Sequence, residues 1–162
     1  MKISIIIPAY KAEESLKKLF DRIQTLFAEN LEYEYEIILV FDGGNKSTWG
    51  VIQEIKKANP RIVKAIRLSR NFGQHNALIC GIKNASGKFI VTMDEDLQHE
   101  PEDIIRLLAK QKEDDYDLVY GKLKQLKHSP FRIITSKTLK SLIQIGIPGL
   151  HKDYSPYRLI KA

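Results

Sequence analysis

Residues Lys88-Phe89-Ile90-Val91-Thr92-Met93-Asp94-Glu95-Asp96-Leu97-Gln98 run from a short apolar stretch directly into three consecutive acids. Lys88–Met93 has the length and composition of a buried strand, and Pro101 shortly afterwards suits the start of a helix. The same alternation extends in both directions. Strand-like runs at Ile3–Ile7, Tyr35–Phe41, Val63–Leu68 and Asp117–Tyr120 are separated by segments of helical period at 13–29, 47–58, Gln74–Ala85 and Pro101 to Glu113. In 13–29 the apolar side chains Leu16, Leu19, Phe20, Ile23, Leu26 and Phe27 form one stripe. Ser47 or Thr48 is expected to cap the helix after the second strand, and Ser86-Gly87 to close the third helix. Strands alternating with helices predict an α/β domain with a mainly parallel sheet. The nearly continuous Ile of the first run indicates a strand covered on both faces.

Composition agrees with one compact domain. The chain has 162 residues, 43% hydrophobic and 28% charged, with a formal charge of +6. Its longest apolar runs are strand-sized, well short of the roughly 18 residues of a membrane span. The N-terminus leads straight into the first strand and does not read as a signal peptide. The lone Cys80 excludes an internal disulfide framework and fits a reducing compartment; it and Trp49 are expected to pack. The expected location is cytoplasmic, including the cytoplasmic face of a membrane. The positive excess points to anionic partners, but the basic residues are dispersed and no aromatic platform accompanies them, so no nucleic acid is expected. The four histidines share no ligand spacing, and neither a P-loop nor a G-x-G-x-x-G motif occurs.

In an open parallel sheet, ligands bind at the carboxyl ends of the strands. Those ends read Pro8-Ala9-Tyr10, Asp42-Gly43-Gly44-Asn45, Ser69-Arg70-Asn71-Phe72-Gly73 and Asp94-Glu95-Asp96-Leu97-Gln98. Asp94 and Asp96 are close enough to repel, and hard oxygen ligands suit Mg²⁺ or Mn²⁺; equally, the triplet could be a solvated turn before the helix. Asp42-Gly43-Gly44 permits a tight turn beside a nucleobase or ribose, or is an ordinary strand-to-helix turn. Arg70 could reach a diphosphate or be a surface charge.

Together these ends resemble the family 2 glycosyltransferases, most closely the branch that transfers a sugar to polyprenyl phosphate, such as the dolichyl-phosphate mannosyltransferase-like enzymes. The resemblance runs through Ile5-Ile6-Ile7-Pro8-Ala9-Tyr10, Tyr35-Glu36-Ile37-Ile38, Arg67-Leu68-Ser69-Arg70-Asn71-Phe72-Gly73, Met93 to His99, and Tyr154 to Ile160. It implies a three-layer α/β/α, Rossmann-like GT-A fold and an inverting, metal-dependent transfer from a nucleotide-diphospho-sugar. The cation, Mg²⁺ or Mn²⁺, falls on Asp94 and Asp96 with Gln98 in support. Pro8, Ala9, Tyr10, Glu13, Asp42, Arg70 and Asp94 would line the nucleotide pocket. Ser155 and Arg158 fall in the segment associated with the acceptor phosphate, where Lys122, Lys124, Lys127 and Arg132 would offset the repulsion of two anions. With a glycan hydroxyl as acceptor instead, Asp153 is the candidate base.

The resemblance makes 1–162 a single domain that stops short at its C-terminus, with 1–121 as the nucleotide-sugar half and 122–162 as the start of the acceptor part. Residues 131–145, apolar on one side with Lys137 and Lys140 at the edge, would pack on the domain or lie in a membrane interface. The chain departs from the family at Lys11-Ala12, Phe41 and Leu123, where the family carries polar or charged groups. A binding module without turnover is the alternative reading. A receiver domain would need an acidic pair where Pro8-Ala9-Tyr10 stands.

Overall fold

The computed structural model describes residues 1–121 and 155–162. Six strands, β1 (Lys2–Ala9), β2 (Glu34–Phe41), β3 (Val63–Arg67), β4 (Phe89–Thr92), β5 (Leu118–Tyr120) and β6 (Arg158–Lys161), form one sheet in the order β3-β2-β1-β4-β6-β5. The first four are mutually parallel, and β6 runs antiparallel to β4 and β5. Helices α1 (Glu13–Glu29), α2 (Lys46–Ala58), α3 (Gln74–Lys83) and α4 (Asp103–Asp114) connect them.

The period-2 geometry of a strand divides the isoleucines of β1 between two cores. Ile3, Ile5 and Ile7 join Ile37, Leu39 and Val91 against Leu16, Leu19 and Ile23 of α1, Ile52 of α2 and Leu108 of α4. Ile6 faces the other way with Ile38, Val40 and Ile90, against Ala77 and Leu78 of α3. Cys80 packs at the edge of this second core and Trp49 at the edge of the first. Among the described residues no helix is long and apolar enough to cross a membrane.

Three helix boundaries differ from the sequence expectation. Asn45, not Ser47 or Thr48, caps α2: its Oδ1 accepts the Thr48 N–H at 3.3 Å and the Thr48 hydroxyl at 2.6 Å. The Thr48 hydroxyl is buried and also accepts the Ala12 N–H, so it is committed to tertiary packing. α3 ends at Lys83, where the Asn84 N–H turns back to the Gly81 carbonyl. α4 begins at Asp103, with Pro101 in the preceding turn accepting the Ile104 N–H.

The far end of the sheet is closed by a polar cluster. The Glu36 carboxylate accepts the Ser4 hydroxyl at 2.6 Å and the Ser86 N–H at 2.7 Å, with Lys64 at 2.9 Å. The strand order itself locates the ligand end. β1 is flanked by β2 on one side and β4 on the other, so the chain reverses direction across the sheet between β1 and β4, and a crevice opens beyond their carboxyl ends.

Candidate functional site

A cleft of about 350 Å³ occupies that crevice. Pro8, Ala9 and Tyr10 line it at the end of β1, Asp42 just beyond β2, Asn71 and Gly73 from the loop before α3 with Gln74 at the start of that helix, and Asp94, Glu95 and Asp96 from the loop after β4. Six residues singled out in the sequence, Pro8, Ala9, Tyr10, Asp42, Asp94 and Asp96, therefore come together from three strand ends.

Asp42 is 4% exposed and holds two loops in register. Its N–H donates to the Ala9 carbonyl at 2.9 Å, and its Oδ1 accepts the Phe72 N–H at 2.7 Å. Gly43 and Gly44 follow at φ +75° and +101°. A Cβ on Gly43 would lie 2.7 Å from the Asn71 nitrogen, so the diglycine turn lets the loops after β1 and β3 close against the loop after β2.

The acidic loop is electrostatically loaded. Burial, and then the neighbouring Asp96 and Glu95 charges, push the Asp94 carboxyl up to about 6. The Gln74 side-chain amide, which donates to Asp94 Oδ1, and the Arg158 charge pull the other way. Burial also raises Glu95, against a bond from the Tyr10 backbone. Asp96 is exposed, and its Oδ1 accepts the Gln98 N–H at 3.0 Å around Leu97, which sits at φ +60°. A left-handed leucine in such a loop is a local strain of the kind that clusters at ligand sites. Hard carboxylate oxygens in mutual repulsion fit a divalent cation. Among the described residues no three His, Cys, Asp or Glu side chains converge as a metal-holding group, so phosphate oxygens and water would complete such a shell.

Three expected site residues stand elsewhere. Glu13 points at the start of α2, accepting bonds from Asn45 and Ser47; the Ser47 bond is the main reason its pKa falls to about 2. Arg70 is exposed and lays its guanidinium over the Phe72 ring, 4.9 Å from its centre. Gln98 is tied to the loop through its backbone N–H, and its exposed side chain is not part of the cleft wall. Arg158 stands on β6, paired in register with Thr92, and its charge acts on Asp94, but neither it nor the buried Ser155 lines the cleft. Asp153, Lys122, Lys124, Lys127, Arg132, Leu123 and the 131–145 stretch lie outside the described residues. The departures at Ala12 and Phe41 have packing roles: both are 4% exposed, and the Phe41 ring packs tilted against Trp49, 5.7 Å between centres, under the Arg67 guanidinium.

Asn71, Gly73 and Glu95, which the sequence placed at strand ends without a role, also line the cleft, as does Gln74, which was read only as the start of a helix. The available signal was Gly73 just before α3; it sits at φ +87°, and the first residue of the helix, Gln74, bonds Asp94.

The family model described as glycosyl transferase family 2 matches residues 4–158. An undecaprenyl-phosphate 4-deoxy-4-formamido-L-arabinose transferase of Proteus mirabilis is 39% identical over 153 residues, which cover 94% of this chain and 46% of the relative. The chain thus spans about half the length of that curated relative. Among solved structures, a Pyrobaculum calidifontis mannosyltransferase in complex with GDP-mannose and Mn²⁺ superposes with a TM-score of 0.68 at 15% identity, over 98% of this chain and 44% of that one. A Mycobacterium tuberculosis glucosyl-3-phosphoglycerate synthase in complex with Mn²⁺, UDP-glucose and phosphoglyceric acid gives 0.65 at 15% identity, over 99% and 56%. The fold is the GT-A arrangement, as the resemblance implied.

Proposed function

The chain belongs to glycosyl transferase family 2, and on that premise we propose that it moves a sugar from a nucleotide-diphospho-sugar to polyprenyl phosphate, with inversion at the anomeric carbon. One observation carries the reading: Tyr10, Asp42, Asp94 and Asp96 line a single cleft at the sheet's switch point. The acceptor chemistry is supported by the Proteus mirabilis relative, named as an undecaprenyl-phosphate transferase.

In this reading Tyr10 and Asp42 flank the nucleoside, while Asp94 and Asp96 would hold Mg²⁺ or Mn²⁺. The bound cation would stabilise negative charge on the departing nucleotide. Gln74 orients the Asp94 carboxylate. The acceptor phosphate oxygen attacks the anomeric carbon as its bond to the diphosphate breaks, and an already ionised phosphate needs no general base. Arg158 offsets the charge brought in by the acceptor. Residues 1–121 serve the donor and 122–162 begin the acceptor side. A prenyl chain is anchored in a bilayer, so the proposal places the cleft at the cytoplasmic face of a membrane.

The test is a thermal-shift screen of UDP-, GDP- and dTDP-sugars with and without Mn²⁺ or Mg²⁺, followed by transfer to a polyprenyl phosphate. The expected result is a cation-dependent rise in Tm with one donor, abolished by Asp96→Ala. A flat response across the panel would sink the proposal. Binding without transfer would instead favour a module that has lost turnover.

A further inference from the structure

We propose that Tyr157 is a positioning residue, which fixes the acceptor-side segment Ser155–Arg158 against the acidic loop; the proposal rests on the functional reading above. Tyr157 is 1% exposed and touches both parts. Its hydroxyl donates to the Glu100 carbonyl at 3.1 Å, and its ring lies 4.8 Å from that of buried His99, so it grips the exit of the loop that carries Asp94 and Asp96. Its backbone holds the other part. The Tyr157 N–H donates to Ser155 Oγ at 3.2 Å, and its carbonyl accepts the Gly121 N–H at 2.9 Å. One residue earlier, the Pro156 carbonyl accepts the Thr92 hydroxyl at 2.6 Å, which aligns the segment with β4.

Gly121 shows how closely the ring is held: a Cβ there would lie 2.4 Å from Tyr157 Cδ1. The Glu100 side chain is held by Arg22 of α1, which also reaches Glu102 at 3.0 Å. The loop exit is thus clamped between α1 and Tyr157. Arg158, next in the chain and near enough for its charge to act on Asp94, is placed by this clamp, and a small displacement of reacting groups costs rate steeply.

Two variants disturb the clamp without entering the cleft. Tyr157→Phe keeps the ring and removes the hydroxyl, whereas Gly121→Ala pushes on the ring from behind. Both should raise the acceptor KM by about fivefold or more while leaving the donor dissociation constant, measured with Mn²⁺ alone, within about twofold. Hydrogen exchange without ligand should quicken in 97–104 and at Gly121 in Tyr157→Phe, with β1 and β2 unchanged. A lower Tm with both KM values unchanged would reduce Tyr157 to a packing residue and overturn the proposal. So would unaltered exchange in 97–104. If the wild-type chain binds no nucleotide-sugar, the functional reading fails, and the exchange result alone decides whether Tyr157 clamps the loop.

Discussion

A Cβ built on Gly44 would lie 2.1 Å from the carbonyl oxygen of Tyr10, so the turn after β2 and the loop after β1 share space that only glycine leaves open. Gly44 also sits at φ +101°, where a side chain is strained independently of its neighbours. Gly44→Ala must therefore move the Tyr10 backbone and distort the cleft wall. The expected loss is about 1–3 kcal/mol from the backbone alone, a fall in Tm of roughly 2–12 °C for a chain of this size. The nucleotide-sugar thermal shift should weaken as well. A variant with wild-type Tm and shift would show that the turn is not tightly packed.

Gly50 provides the opposite sign. It lies inside α2, and a Cβ there would meet nothing within 4 Å. Gly50→Ala removes backbone freedom from the unfolded chain without a clash, worth about 0.5–1 kcal/mol. Thermal melts should show a rise of about 1–4 °C.

At the end of the sheet away from the cleft, burial pushes the Glu36 carboxyl up, but bonds from Ser4, Lys64 and Ser86 outweigh it and hold the pKa at about 2. A carboxylate lowered in the folded state adds stability above its unfolded pKa, near 4.3, and loses it as pH falls toward 2. Glu36→Gln should therefore cost about 1–3 kcal/mol at pH 7. The gap from wild type should close between pH 4.5 and 2. A constant gap across that range would remove Glu36 from the acid transition.

The element order was legible because each strand is a short apolar run and each connecting helix carries a stripe, as in Ile3–Ile7 followed by Leu16 to Phe27. The cleft was legible wherever backbone placement suffices, as for Asp42 and Asp94 at strand ends. Side-chain direction was not. Glu13 and Arg70 lie near the right strand ends in sequence, yet Ser47 and Phe72 draw them away from the cleft. Gln74 reads as an ordinary exposed first-turn residue; its meaning comes from the adjacency of β1 and β4, which leaves the α3 N-terminus facing Asp94. The two strands are far apart in sequence, so local patterns carry no sign of that pairing.

Asp94 is held at about 6, first by burial and then by Asp96 and Glu95. For a raised carboxyl the stability contribution is complete below the unfolded pKa, near 3.9, and is lost as pH rises through the folded value. In the cation-free protein at pH 7.5 an ionised Asp94 is thus a liability that the fold tolerates. Asp94→Asn keeps an oxygen for the Gln74 amide and removes the charge. It should be more stable than wild type at pH 7.5 by about 1–3 kcal/mol, with the difference vanishing near pH 4. The same variant should lose the Mn²⁺-dependent donor shift, because it removes one of the two anionic ligands proposed for the cation. Melts from pH 4 to 8 without metal, paired with the donor screen at pH 7.5, check both halves. If Asp94→Asn is the less stable protein at pH 7.5, the charge is compensated within the fold itself and the strain argument for a cation in this cleft fails.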